Sequence, residues 1–178
     1  MLTMKFPRTL TAGAAVLGLL VIAPQPSFAA GDPPKPEAPR CSEFKKNSSG
    51  WKRCMAQHKD DESTYERGYT LAKSGDYAQA LGILRSASRQ ADPRIQTMIG
   101  FSLRKLGHVD EAMAYYTAAL SAAPGATNTR QYLGEAFLQK NLPDKAREQL
   151  AAIGARCGTG CEDYRALDAA IAAHQARG

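Results

Sequence analysis

The 178-residue chain lacks the short patterns that organise catalysis. It has no nucleophile elbow, no pair of histidines spaced to hold a metal on one helix, and no glycine-rich phosphate loop. Its three histidines, His58, His108 and His174, are not at ligand spacing to the cysteines, which argues against zinc and leaves each as a surface or boundary residue. The stretch "GTGCED", residues 158–163, matches only half of a dinucleotide fingerprint and follows no strand pattern. Asp60, Asp61 and Glu62 adjoin, but at a helix start such carboxylates complement the dipole. These absences point away from an enzyme and imply no cofactor and no metal. Basic residues are equally sparse in runs. The one dense stretch, "FKKNSSGWKR" at residues 44–53, reads as a solvated basic turn rather than a site for an anionic surface.

Long hydrophobic runs are missing too. The longest uncharged one, residues 10–23, has 14 residues against the roughly 20 that span a bilayer. Lys5 and Arg8 precede it, a proline break follows, and Ser27 and Ala29 occupy the two small-residue positions of a peptidase site. Residues 1–29 therefore read as a cleaved secretory signal, which places the protein in the periplasm or outside the cell and leaves it no integral membrane span. Cleavage leaves about 149 residues, enough for one domain with a core, and lowers the formal charge from +6 to +4. Export also leaves little access to nucleic acid. The four prolines of "GDPPKPEAP", residues 31–39, favour an extended spacer, so residues 30–40 form a linker.

What the chain does contain is a repeat. Gly68, Gly100 and Gly134 recur at spacings of 32 and 34 residues; Gly75, Gly107 and Asn141 follow each by seven, and Ala80, Ala112 and Ala146 come five later. Leu84, Tyr116 and Leu150 share a further position, as do Ala87, Ala119 and Ile153. The unit has a physical logic. Two helices meet at a residue that must adopt a left-handed backbone, which Gly and Asn do cheaply. Asp76 with Gln79, Asp92 before Pro93, and Pro143 are helix-start signals. Small residues at the Gly68 and Ala80 positions let the paired axes approach, and Leu71, Leu81 and Leu84 supply the core stripe.

Over about residues 62–155 this pattern resembles the tetratricopeptide repeat family, most closely in "GYTLAKSGDYAQALGIL", residues 68–84, and "YLGEAFLQKNLPDKAREQL", residues 132–150. The family's tryptophan is missing from the array, since Trp51 lies before it, and the first repeat is two residues short. The resemblance, to an exported bacterial member, implies an all-α, right-handed superhelix of three helix pairs: repeat one at 61–92, repeat two at 93–126 and repeat three at 127–156. Residues 41–60 would form a cysteine-pinned segment ahead of it. An array needs a closed end. Residues 157–178 supply one, with Tyr164, Leu167 and Ile171 inward and Glu162, Arg165 and Asp168 outward.

The family's fold further implies a concave groove, lined by the first helix of each pair, that holds a segment of a partner protein. Carried over position by position, it consists of Tyr65, Tyr69 and Lys73 in the first repeat, Thr97, Phe101 and Arg104 in the second, and Gln131, Glu135 and Leu138 in the third. Tyr69 and Phe101 would be adjacent anchors, with Lys73 and Arg104 holding an acidic or carbonyl-rich segment. The lysine and asparagine clamp by which some members grip a C-terminal carboxylate has no counterpart here. Against the groove stands the possibility that Tyr65 and Phe101 simply pack on neighbouring helices.

Four cysteines in an exported chain suggest two disulfides, for which sequence permits three pairings. Proximity favours Cys41 with Cys54 and Cys157 with Cys161, loops worth about 3 and about 2 kcal/mol of chain entropy. The second pair would pin the cap. It could instead be a thiol-disulfide centre, although a three-residue spacing and a helical setting differ from thioredoxin-like motifs.

Overall fold

The structure, a computed structural model, describes residues 41–177; the expected signal segment and linker lie outside them. A 3-10 turn at Cys41–Glu43 leads into seven helices: α1 Ser49–Ser74, α2 Tyr77–Arg85, α3 Pro93–Lys105, α4 Val109–Ala122, α5 Thr127–Gln139, α6 Pro143–Cys157 and α7 Glu162–Gln175. Among the described residues there is no strand, as the repeat pattern requires. Helices pair in chain order, α1 with α2, α3 with α4 and α5 with α6, while α1, α3, α5 and α7 adjoin one another as a second row.

The turns within pairs follow the sequence directly. Gly75 and Gly107 have φ of 96° and 90°, and Asn141 takes the same left-handed region at 56°. Asp92 caps α3 by accepting from Arg94 N at 2.9 Å, with Pro93 in the first turn; Pro143 likewise stands in the first turn of α6, there without a side-chain cap. Asp76 stands at the start of α2 but its side chain makes no capping bond, so that signal marks the position without supplying the bond.

The repeated small residues are the most deeply buried. Ala80, Ala112 and Ala146 are all fully inaccessible, as are Leu84, Tyr116, Ala119 and Ile153. They divide into two cores. One, spanning α1 to α5, is built around Tyr65, Phe101, Tyr116 and Tyr132; the other, spanning α5 to α7, is aliphatic, with Leu138, Ile153, Leu167 and Ile171. The cap matches expectation: Leu167 and Ile171 are buried, Tyr164 is half-buried, and Glu162, Arg165 and Asp168 face solvent.

The N-terminal boundary differs. α1 runs unbroken through residue 60, so the cysteine-pinned segment and the first repeat helix are one 26-residue helix. Asp60, Asp61 and Glu62 consequently sit in mid-helix, far from its dipole end; Asp60 is exposed, while Asp61 and Glu62 make tertiary contacts. Asp61 is buried and accepts from the backbone N and Oγ of Ser88 at 3.0 and 2.9 Å. Glu62 receives both terminal nitrogens of Arg94. These bonds, with Gln90 donating to the carbonyls of Leu84, Arg85 and Ala87, organise the loop after the short α2.

Both proposed disulfides are present, Cys41–Cys54 joining the 3-10 turn to α1 and Cys157–Cys161 joining the end of α6 to the start of α7. Gly158, inside the second loop, has a φ of 77°, the bend that residue type allows.

Candidate functional site

The row of first helices sets the site. Residues three and four apart share a helix face, so Tyr65, Tyr69 and Lys73 form one stripe of α1, and the equivalent stripes of α3 and α5 lie beside it. Side chains join these stripes into a band. The Tyr65 and Tyr69 rings are 5.9 Å apart; Phe101 lies tilted against Tyr132 of α5 at 4.9 Å and meets Tyr77 edge-on at 6.0 Å. Lys73 Nζ lies 6.0 Å from the Tyr69 ring centre and 5.8 Å from that of Phe101, bridging α1 to α3. Lys105 Nζ stands 5.6 Å from the Phe101 ring. Such ring and cation–ring contacts are worth about 0.5–1.5 kcal/mol each.

Burial separates these residues into two roles. Tyr65, Thr97, Phe101, Arg104, Gln131 and Leu138 are buried, so six of the nine expected groove residues act mainly as interhelical packing. Thr97 and Thr129 share a hydrogen bond at 2.7 Å between α3 and α5. Tyr69, at 37% exposure, and Lys73 remain open to solvent, and Glu135 is partly open. The surface available to a partner is therefore Tyr69, Lys73, Lys105 and Glu135 over a floor of buried rings.

Arg104 requires correction. It is 4% exposed and ion-paired with Glu135, which also accepts from Gln131, so it cannot reach out to a partner segment. Register explains the difference. Lys73 is five residues after Gly68, and the residue five after Gly100 is Lys105, exposed at the end of α3. Arg104, one position earlier, turns 100° inward.

Three further contributors escaped the position-by-position reading. Arg94 lies 4.4 Å from the Tyr65 ring centre while binding Glu62 and Asp92, and Tyr132 and Tyr77 flank Phe101. Arg94 was open to discovery, because it occupies in repeat two the register of Glu62 in repeat one and carries the opposite sign. Burial pushes the Tyr132 hydroxyl up to about 12, and burial likewise raises Tyr65 and Tyr116, so all three stay neutral. For Arg94 burial opposes the charge, but the hydrogen bonds it donates to Glu62 and then to Asp92 raise its pKa overall. The band thus offers neutral rings and lysine cations.

Elsewhere, a depression of about 700 Å³ between α1 and α2, lined by Arg67, Leu71 and Ile83 among others, occupies a different face of α1. Among the described residues there is no group of three or more His, Cys, Asp or Glu placed to hold a metal, and no helix long and apolar enough to cross a membrane.

Two family models described as tetratricopeptide repeat match the chain, at residues 65–127 and 103–171, so that together they cover 65–171. Solved structures with this fold include the type III secretion translocator chaperone SycD of Yersinia enterocolitica. Its alternative dimer form superposes with a TM-score of 0.56 at 16% identity, over 67% of this chain and 91% of that one. SycD in complex with a peptide of the translocator YopD gives 0.54 at 17% identity, over 65% and 89%. A third SycD structure gives 0.55 at 19%, over 64% and 88%. No curated protein sequence matches the chain.

Proposed function

Because the chain belongs to the tetratricopeptide repeat family, we propose that it is a non-enzymatic module that holds a segment of another protein against the face of α1, α3 and α5. The observation that carries this reading is the band in which the exposed Lys73 and Lys105 both stand within 6 Å of the Phe101 ring centre, with Tyr69 exposed beside Lys73. One exposed tyrosine with two lysines, over a floor of buried rings, suits an extended segment that brings carboxylates or carbonyls and a few apolar side chains. SycD, of similar fold, is seen with a peptide of its partner, which supports this use of the fold. The signal-like residues 1–29 support a place in the periplasm or outside the cell, and with it a role in organising cell-envelope proteins.

The test must spare the floor. Phe101→Ala would remove a core ring, whereas Tyr69→Ala with Lys105→Glu changes only accessible groups. Losing an aromatic anchor costs on the order of 2 kcal/mol, so affinity for a partner isolated from an envelope fraction should fall about thirtyfold, with helicity unchanged. Capture at undiminished affinity by the folded double variant would remove the band from the function. Intact mass beginning at Ala30 checks export.

A thiol-disulfide role for Cys157 and Cys161 is less well supported: Cys161 is buried in the aliphatic core under the cap, where a closed pair holds α6 to α7. Thiol labelling of the folded protein should leave both cysteines unmodified.

A further inference from the structure

Beyond residues 1–29, the net charge of the chain is concentrated in one place. Residues 41–59 carry five basic side chains, Lys45, Lys46, Lys52, Arg53 and Lys59, against one acid, Glu43, whereas residues 60–177 carry fourteen of each sign and are neutral. That basic segment is also where α1 lacks a helical partner. Buried side chains of α1 begin only at Asp61, so its first three turns project from the array.

The projecting head is built rather than frayed. Cys41–Cys54 ties the 3-10 turn to α1, Asn47 turns the chain with a φ of 66°, and Ser48 caps the helix by accepting from Trp51 N at 3.1 Å. Phe44 lies over Gly50, where a Cβ would come within 2.7 Å of the ring. This fixed scaffold nevertheless leaves apolar groups outside: Phe44 is 47% exposed, Met55 43%, and Trp51 is only half-buried. On α1, Trp51 and Met55 are one turn apart, and Lys52, Met55 and Lys59 follow at the three- and four-residue steps of one face.

Where the sequence alone reads residues 44–53 as a solvated basic turn, the stapled helix start and its exposed apolar groups point elsewhere, and we propose that this head is a docking surface for anionic lipid bilayers. Basic residues draw it to a negative surface, and Phe44, Trp51 and Met55 enter the headgroup boundary, the division of labour seen in interfacial elements generally. An acidic protein would satisfy the lysines and leave three apolar groups half in water; a bilayer interface accommodates both. The neutral array adds no repulsion and would remain free to hold its own partner.

Trp51, the sole tryptophan, makes the test direct because its emission reports the head and not the apolar run at residues 10–23. The full chain is mixed with phosphatidylcholine vesicles containing about 30 mol% phosphatidylglycerol, and separately with pure phosphatidylcholine vesicles. Emission should shift to the blue with the anionic vesicles only, and the shift should disappear at high salt. Replacing Lys45, Lys46, Lys52 and Arg53 together by Gln should weaken that binding more than about a hundredfold. Phe44→Ser with Met55→Ser should diminish the shift while sedimentation is partly kept. All of these positions are exposed, and circular dichroism checks that the array persists. An unchanged emission with anionic vesicles, an equal shift with neutral ones, or tight binding of polyglutamate without any shift overturns the proposal; the wild-type comparison decides even if a variant fails to fold.

Discussion

Gly100 and Gly134 hold the same position in successive repeats, yet they face different things. A Cβ at Gly100 would meet the Tyr116 ring at 2.7 and 2.9 Å and the Ala112 carbonyl oxygen at 3.1 Å, all in the helix paired with it. At Gly134 the nearest atoms are Leu167 methyls at 2.6 Å, in the cap, although the residue in the register of Tyr116 is Leu150 of the paired helix. The same close approach therefore serves two ends: within the array it seats one helix pair, and at the end it seats the terminator. A repeat needs its neighbour, and the last one takes its neighbour from α7. The aromatic core of the first pairs gives way to an aliphatic one at this junction, where a disulfide also stands.

The largest effect that separates the two positions is overpacking. Gly100→Leu must displace a fully buried ring and backbone, and should destabilise by about 3 kcal/mol or more. Gly134→Leu displaces the ends of a flexible side chain on an end helix, and should cost about 1–2 kcal/mol. Thermal and denaturant unfolding followed by far-UV circular dichroism ranks them. Adding Leu167→Ala should relieve Gly134→Leu and leave Gly100→Leu unrelieved; equal relief would mean that the cap does not own the Gly134 contact.

Unpinning the cap comes next. Cys157→Ser with Cys161→Ser opens a loop whose ends are four residues apart, and the chain-entropy model assigns such a loop about 2 kcal/mol. Hydrogen exchange should quicken in α7 and the end of α6, with α3 and α4 little changed. Uniform quickening would mean that the array and its cap unfold as one unit.

The fold was legible because small residues and left-handed turns recur at a fixed spacing, and each requirement acts through nearest neighbours: Gly75, Gly107 and Asn141 all took the turn foreseen for them. The band was legible only in part. Sequence offset located Tyr69, Lys73 and Phe101, but which of two adjacent residues turns outward depends on helix phase, and a one-residue slip exchanged Lys105 for Arg104. Likewise the repeat register sets Gly134 against small Ala146 of its own pair, whereas its near neighbour is Leu167, since register carries no information about a cap that is not itself a repeat. The length of α1 was hidden for a related reason. None of residues 49–60 is fully buried, so no core stripe announced that the helix had already begun.

The smallest effect concerns charge at the cap. Asp163, in the first turn of α7, is buried, and its Oδ2 has no hydrogen-bond partner. Burial raises its pKa; a hydrogen bond from Thr127 lowers it in part, and Glu162 adds to the rise. Because the folded value lies above the unfolded one, the folded protein binds more protons between the two, and this group's contribution to stability falls as pH rises through that window. Above it, the folded state bears the full cost of an under-paired carboxylate. Asp163→Asn keeps the shape and removes the charge, so it should raise the melting temperature modestly near neutral pH, and by progressively less as pH falls through the raised folded value and the native residue takes up its own proton. The aliphatic core of the cap, with no ionic partner near this carboxylate, is what makes the sign firm; the Arg94 site, where Glu62 and Asp92 surround the cation, should lose stability on neutralising either acid. A lower melting temperature for Asp163→Asn at neutral pH would show that the ionised group holds α7 in place through its helix start, and that the cap, like the array, is secured by polar contacts as well as by Leu167.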